Sequence, residues 1–454
     1  MALIVGMTGT ALAVGATSGA GAAPASLHLR LHQAPAPASS SPSGRGGRAL
    51  RALRPESSSG WHQVNEINGN PSSLLGFAIA VSGSTMVVGA GNDNSGTGAA
   101  YVYTGSRGHW TEAAELVPAD GANEDGFGTS VAISGSTIVV GSYCHSATPS
   151  INCEGAAYVF TGSGSHWSPV AELDDPGASA DDYFGWDVAA TSASTILVSG
   201  IGENSNAGAV YAYAFNDGTW SEDAEIMDPT NTANDNFGID LAFSGATLVV
   251  GAAGYNSYAG AAYVFAKVRT AWVEQARLTA SNGEGCVSTC SQGYDLAGGD
   301  YFGSSVAVHK HTIAVGAPEA SVPPAPDGVG PGTAYVFTGS GATWTQKSEL
   351  YDPEEVAADN GDSFGYEVAV STTGTVVCNA PGDPQGYESD DSIGAAFVFA
   401  SDRGTWPTSS PTELTAADGA DGDYFGYGLA TLKGNYIIVG SPFSPDGGVY
   451  FFKS

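Results

Sequence analysis

The sequence has 454 residues and carries 14 Lys and Arg against 46 Asp and Glu, a net charge of −32. So acidic a chain repels phosphate backbones and anionic lipids, which argues against nucleic acid and favours cationic partners, metal ions or simple solubility. The 64 glycines and the 42% hydrophobic content indicate a folded chain with many tight turns rather than a disordered one.

The first 59 residues differ in composition from the rest. Residues 1–23 begin with an apolar run and end in small residues, which predicts an export signal, with an Ala/Gly-rich tail as the alternative. Residues 24–59 are rich in Pro, Ser and Arg and predict a disordered linker. We therefore expect residues 60–454 to form the folded domain of a protein that is secreted or lies at the cell surface.

Residues 60–454 contain seven copies of one sequence repeat. Each unit opens with Phe-Gly, at 127–128, 184–185, 237–238, 302–303, 364–365 and 425–426, with Leu75-Gly76 as the variant in the first unit. An apolar segment such as TSVAISGSTIVVGS (129–142) follows, then GAAYVF or a variant, then a Trp segment such as WTEAAEL (110–116). Two apolar strands followed by two increasingly polar strands predict the four-stranded blade of a β-propeller.

The two ends of the repeat array complement each other. The last unit stops after its third strand, at GGVYFFKS (447–454), whereas a spare Trp segment, WHQVNEI (61–67), stands at the start. Pairing of the N-terminal strand 61–67 with the last blade would close the ring and remove an open sheet edge. The predicted fold class is all-β, a seven-bladed propeller of four-stranded blades.

The order Phe-Gly, then VGAP (315–318) or a relative, then GAAYVF resembles the FG-GAP repeat of integrin alpha subunits and of secreted bacterial proteins. The resemblance covers residues 61–454 and implies a binding or adhesion module for a protein or glycan ligand. Integrin-like members bind calcium in an Asp-rich loop between the first two strands of several blades. The matching turns here, such as SGST and HKHT, contain no Asp, so that calcium site is not expected in this chain.

Loop lengths distinguish the two ends of the predicted ring. The third-strand aromatic residue and the Trp are nine residues apart in six blades, whereas the second-to-third connection spans 10 to 19 residues. The connection from one blade to the next is also variable, and strand direction places both variable sets at one end, called here the loop end. The opposite end is the hairpin end. We expect ligand binding at the loop end, with tyrosines as ligand contacts or loop anchors: Tyr143, Tyr255, Tyr258, Tyr294 and Tyr387.

An Asp stands two residues before the Phe of each Phe-Gly pair in six units. This Asp either caps a turn by accepting backbone N–H bonds or binds calcium together with a second nearby acid. Calcium is the one cofactor that the sequence suggests. The calcium prediction covers the turns with a second acid close by: Asp120, Asp125, Asp295, Asp300, Asp418, Asp421 and Asp423.

The remaining candidates are cysteines and histidines. The spacing of Cys144 with Cys153, and of Cys286 with Cys290, predicts two disulfides within loops, and His145 in the first loop is expected to be exposed. No His accompanies a nucleophile and an orienting acid, so we do not expect an enzyme. The alternatives are a glycoside or ester hydrolase with carboxylates converging at the loop end, and a structural matrix protein.

Overall fold

The computed structural model describes residues 60–146, 153–175, 177, 179–192, 194–283, 299–320, 330–352, 363–382, 393–408, 411–420, 422–432 and 435–454. The predicted signal segment 1–23 and linker 24–59 lie outside these residues, so both assignments stay predictions. Within the described part of the chain, no helix is long and apolar enough to cross a membrane.

Seven antiparallel four-stranded sheets make up the described structure, and each is one blade. Blade 1 contains β2 (Leu75–Ser82), β3 (Thr85–Ala90), β4 (Ala99–Ser106) and β5 (His109–Leu116). Blade 2 contains β6 (Phe127–Ser134), β7 (Thr137–Ser142), β8 (Ala156–Ser163) and β9 (His166–Asp174). Blade 3 contains β10 (Phe184–Ser192), β11 (Thr195–Gly200), β12 (Ala209–Asn216) and β13 (Thr219–Ile226).

The later blades follow the same order. Blade 4 contains β14 (Phe237–Ser244), β15 (Thr247–Ala252), β16 (Ala261–Val268) and β17 (Ala271–Leu278). Blade 5 contains β18 (Ser305–His309), β19 (Thr312–Ala317), β20 (Thr333–Ser340) and β21 (Thr343–Leu350). Blade 6 contains β22 (Val368–Val370), β23 (Val376–Ala380), β24 (Ala395–Phe399) and β25 (Thr412–Leu414). Blade 7 contains β26 (Leu429–Leu432), β27 (Tyr436–Ser441), β28 (Gly448–Lys453) and β1 (His62–Asn68).

The first strands of neighbouring blades contact each other around the complete ring, from β2 through β26 and back to β2. The first strand therefore lies nearest the axis, and the fourth strand lies outermost. The fourth strand of blade 7 is β1, which pairs with β28 from His62 opposite Lys453 to Asn68 opposite Gly448. This pairing closes the ring and confirms the predicted fold class.

The hydrophobic core lies between blades rather than inside one of them. The Phe of each of the six Phe-Gly pairs is fully buried. Phe302, for example, packs edge-on against Phe337 at a centroid distance of 6.0 Å, in a cluster that also holds Val249 of the preceding blade. Burial of such a side chain contributes about 1.5–3 kcal/mol, so each Phe stabilises two blades together.

Glycines let the backbones of neighbouring blades approach each other closely. A Cβ on Gly251, in the second strand of blade 4, would lie 2.0 Å from the carbonyl oxygen of Gly303 in blade 5. The same contact recurs for Gly89, Gly141, Gly316 and Gly440, with distances of 1.8 to 2.1 Å to the next blade. Blades 3 and 6 differ, because Ser199 and Asn379 occupy this position.

Replacing Gly251 with Ala should lower the free energy of unfolding by about 3 kcal/mol, the upper end of the usual cost of overpacking. Ser199→Ala is the matched control, because blade 3 already accommodates a Cβ at this position, and it should cost about 1 kcal/mol for its lost hydroxyl hydrogen bonds. Chemical denaturation measures both values. Equal costs for the two variants would contradict the close backbone approach in blade 4.

Candidate functional site

The two variable sets of connections meet at the loop end, as the loop lengths predict. The backbone N–H groups of Cys144, Gly202 and Gly254, after the second strand, donate to the carbonyls of the preceding acidic turns. In blades 1, 3 and 4 this connection holds one helical turn: α1 (Asp93–Gly96), α2 (Glu203–Asn206) and α3 (Tyr255–Tyr258). The middle pair of each turn is Asn-Ser with left-handed φ, a conformation that Asn tolerates well. The loops therefore have a repeated, fixed geometry.

The Asp before each Phe-Gly pair is a buried turn cap where its bonds are described. Oδ2 of Asp125 accepts the N–H of Ala122 at 2.7 Å, and Asp182 and Asp423 accept from the residue three positions earlier in the same way. Asp300 is buried as well, whereas Asp120 and Asp418 are exposed. Asp295 and Asp421 lie outside the described residues. The geometry supports the capping role, and calcium binding at these turns stays a prediction.

Each of three neighbouring blades surrounds its acidic turn with further polar groups. In blade 2 the polar group beside the acidic turn is His145, whose Nδ1 lies 3.0 Å from Oδ2 of Asp125. Its Nε2 lies 3.7 Å from Oε1 of Glu172 and 3.9 Å from Oδ2 of Asp120. The hydroxyl of Tyr158 donates to Oδ1 of Asp120 at 3.0 Å. The imidazole is thus surrounded by three carboxylates, and the expectation that it is exposed is wrong, since 5% of His145 is accessible.

This environment raises the pKa of His145. The main cause is the hydrogen bond with Asp125; burial acts in the opposite direction, and the charges of Asp125, Asp120 and Glu172 add to the rise. Burial, followed by the charge of Asp120, raises the pKa of Glu172. Blade 2 therefore supplies its acidic turn with a histidine whose protonated form is favoured by the surrounding carboxylates.

The disulfide between Cys144 and Cys153 closes the loop that holds His145. Just after this loop, the N–H of Gly155 donates to the carbonyl of His145 at 2.8 Å. The first predicted pair is thus a disulfide in the structure, and Cys378 is buried in a strand as a free thiol. The second predicted pair, Cys286 with Cys290, lies outside the described residues. The cross-link restricts the position of the one histidine that faces the acidic turn of blade 2.

In blade 4 the polar group near the acidic turn is Arg277. It lies opposite Tyr263 across the third and fourth strands, and its guanidinium is 4.7 Å from the ring centroid of Tyr255. Burial and the neighbouring Asp228 raise the pKa of Asp235 to about 7, and the positive charge of Arg277 opposes this rise. Blade 4 thus supplies a guanidinium ion to its acidic turn.

Blade 3 brings three buried carboxyl groups together at the equivalent place. One oxygen each from Asp175, Asp182 and Glu203 lies within 4.8 Å of the other two. Oε1 of Glu203 accepts the hydroxyl of Tyr211 at 3.1 Å, and Oδ1 of Asp175 accepts the N–H of Gly177 at 2.8 Å. Burial and the charge of Asp175 raise the pKa of Glu203 to about 8, and burial raises that of Asp182 to about 7.

Further acids lie on the first strands, close to the axis. Oδ2 of Asp187 in blade 3 accepts the N–H of Leu241 in blade 4 at 2.8 Å, and Asp240 accepts the N–H of Val306 in blade 5. Burial raises the pKa of Asp240 to about 6, and burial with the charge of Asp240 raises that of Asp187. These two carboxyl groups connect three successive blades, which is a structural role.

The described tyrosines of the predicted ligand face are packed against other rings. Tyr143 contacts Tyr183 and Trp186, with centroid distances of 6.3 and 5.5 Å, and burial raises its pKa to about 12. Tyr258 packs on Tyr301, and Tyr255 packs against Tyr263 and Arg277. Tyr294 and Tyr387 lie outside the described residues. The packing gives the three described tyrosines an anchoring role, and ligand contact by them stays a prediction.

Two shallow grooves run between neighbouring blades at the outer rim and reach the loop end. The groove between blades 1 and 2 has a volume of about 300 Å³ and is lined by Asp120, Glu172 and two exposed valines, Val117 and Val170. The groove between blades 3 and 4 has about 460 Å³ and is lined by residues that include Glu225, Glu274 and the exposed Met227. Both combine apolar surface with carboxylates.

A closed ring of seven four-stranded blades, with short turns at one end and variable acidic loops at the other, is a seven-bladed β-propeller. Residues 67–103, 110–160, 220–265, 293–337 and 409–452 match the FG-GAP repeat family. The chain is an FG-GAP repeat protein, and propellers of this kind are typically non-enzymatic binding modules. No curated protein matches it significantly. The matches omit the first three strands of blades 3 and 6, the two blades in which Ser199 and Asn379 replace the interblade glycine.

Sequence reasoning missed four residues of these pockets: Asp175, Glu203, His145 and Arg277. The sequence did contain a signal for these residues, because matching positions of the repeated units can be compared with one another. Counting eight residues from the first residue of each second strand gives His145, Glu203 and Tyr255 in blades 2, 3 and 4. Counting five from the Trp gives Glu172, Glu225 and Arg277. Comparing the blades position by position would have exposed these charge differences.

The His145 imidazolium should stabilise the protein at low pH. Because the folded pKa is raised above the ordinary value of 6.5, the contribution is complete below that value and is lost as the pH rises through the folded pKa. His145→Gln should therefore cost about 1.5–3 kcal/mol at pH 6, the usual range for a hydrogen bond to a charged group, and less at pH 9. Denaturant titration at both pH values measures the difference.

The control for this prediction is His166→Gln, because His166 is an exposed residue at the hairpin end. Its cost should be small at both pH values. A cost of His145→Gln that stays the same or grows between pH 6 and pH 9 would contradict a charged His145.

Proposed function

We propose that this chain is a secreted binding module that captures a protein or glycan ligand at its loop end. The observation that carries the proposal is the position of the grooves: both reach the loop end and combine exposed apolar side chains with carboxylates. A fixed scaffold with variable loops at one end is the usual construction of a binding surface. The net charge of −32 favours a ligand with positive charge.

Export is part of the proposal. The disulfide between Cys144 and Cys153 is typical of an oxidising compartment, and FG-GAP repeats are typical of extracellular proteins. The apolar N-terminal segment 1–23 supplies a signal for this route. Together these features support an extracellular or cell-surface location.

The hydrolase alternative required converging carboxyl groups with a raised pKa. Asp182 and Glu203 meet this requirement, but both are buried and neither lines the two described grooves. A substrate bound in either groove would not reach them directly. The grooves likewise favour binding over a purely structural matrix role, which would need no concave surface.

Polar substitutions in the groove between blades 1 and 2 should weaken ligand binding. Val117 and Val170 are 46% and 48% exposed, so glutamate at both positions removes apolar contact with little effect on folding. Loss of such a contact at the centre of an interface costs about 2 kcal/mol or more, which is over tenfold in affinity. The probes are intact cells of the producing organism, measured by flow cytometry, and an immobilised glycan array.

Val268→Glu is the matched control, since Val268 is 51% exposed and lies at the hairpin end. It should bind both probes like the unmodified protein. Absence of binding to both probes, or an equal loss in the groove and hairpin-end variants, would overturn the proposed function.

A further inference from the structure

The carboxyl cluster of blade 3 belongs to two connections at the loop end. Asp175 and Asp182 lie between β9 and β10, and Glu203 begins α2. The two connections are held together, because the N–H of Gly202 donates to the carbonyl of Asp182 at 3.0 Å. A Cβ on Gly202 would lie 1.7 Å from the carbonyl oxygen of Asp181, so only glycine allows this approach. The three acids are therefore positioned by backbone contacts.

Burial of all three members distinguishes this cluster from the group of Asp120, His145 and Glu172 in blade 2, whose two carboxyl groups are exposed. Asp175, Asp182 and Glu203 are 5%, 6% and 9% exposed. Oδ2 of Asp175 is fully buried and has no N–H or hydroxyl donor among the described residues, and its carboxyl group faces those of Asp182 and Glu203. Burying a carboxylate oxygen without a hydrogen-bond donor costs free energy, and three ionised carboxyl groups in one place repel one another. The arrangement requires a positive charge or bound protons.

The two neighbouring blades meet the same requirement with their own side chains. Blade 2 uses His145 and blade 4 uses Arg277, as described above. In blade 3 both corresponding positions are acidic: Glu203 replaces His145, and Glu225 replaces Arg277. Glu225 lies directly opposite Tyr211, just as Arg277 lies opposite Tyr263. Blade 3 thus has more negative charge than its neighbours and lacks their cation at both positions.

The ligand atoms in this pocket suit a hard metal ion. All are oxygens, and the described cluster contains no sulfur or imidazole nitrogen. Calcium binds oxygen at about 2.4 Å, so two ligands on opposite sides of one ion are about 4.8 Å apart. The three oxygens, each within 4.8 Å of the others, can therefore share one ion.

We propose that Asp175, Asp182 and Glu203 form a calcium site between blades 2 and 3. This site differs from the Asp-rich turn between the first and second strands of integrin-like repeats. It also differs from the calcium sites predicted from the sequence, which pair the Asp before Phe-Gly with a nearby acid such as Asp120. The ion would join the connection that enters blade 3 to the loop between its second and third strands. It therefore stabilises part of the loop end without contacting the ligand grooves.

The test is calorimetric titration of the full chain with calcium chloride, together with thermal melts in calcium and in chelator. The unmodified protein should bind calcium saturably with a dissociation constant of about 0.1–1 mM or below, the range of extracellular calcium modules, and should melt at a higher temperature in calcium. Asp175→Asn and Glu203→Gln should each weaken this binding by about tenfold or more. Both changes keep the side-chain size, and circular dichroism verifies folding.

Two further variants separate a metal site from a general loss of stability. Asp228→Asn changes the residue that corresponds to Asp175 in blade 4, where Arg277 supplies the charge, and should leave calcium affinity unchanged. Glu225→Arg copies Arg277 into blade 3, and should abolish calcium binding while raising the melting temperature in chelator. Absence of saturable binding to the unmodified protein, or equal calcium affinity in Asp175→Asn, Glu225→Arg and the unmodified protein, would overturn the proposal.

Discussion

The ring depends on a close contact between the backbones of neighbouring blades. The glycine of the second strand faces the carbonyl of the next Phe-Gly pair at a distance that excludes a Cβ, as for Gly251 against Gly303. This contact brings the Phe of one blade into the core of its neighbour and fixes the register of each acidic turn against the loop behind it. The geometry of the loop end is therefore a product of interblade packing.

Blades 2, 3 and 4 show how a repeated backbone can carry different chemistry. The buried Asp before Phe-Gly is the same in all three, and so is the third-strand tyrosine. The charge around them differs, because an imidazole in blade 2, a third carboxyl group in blade 3 and a guanidinium in blade 4 lie near the acidic turn. Since the pockets lie between blades, one substitution there changes the electrostatics of an interface without changing the fold.

The fold could be predicted because it is repeated: six Phe-Gly pairs with the variant Leu75-Gly76, and seven Trp segments that include the spare strand 61–67, leave few other arrangements. The pockets could not be predicted in the same way, because they combine residues from two connections whose lengths vary. The expectation of an exposed His145 failed since a short loop between cysteines looks like a surface loop. Its burial depends on Asp120, Asp125 and Glu172, which belong to other segments of the chain.

Closure of the ring by β1 also determines how the molecule is oriented. His62 lies opposite Lys453, and the N–H of Ser454 donates to Asn435 in a turn of the hairpin end. The chain therefore enters and leaves the propeller at the hairpin end, on the side away from the carboxyl cluster. A tether attached through either terminus, whether to a cell surface, a bead or a fused domain, would hold the propeller from behind and leave its loop end facing outward.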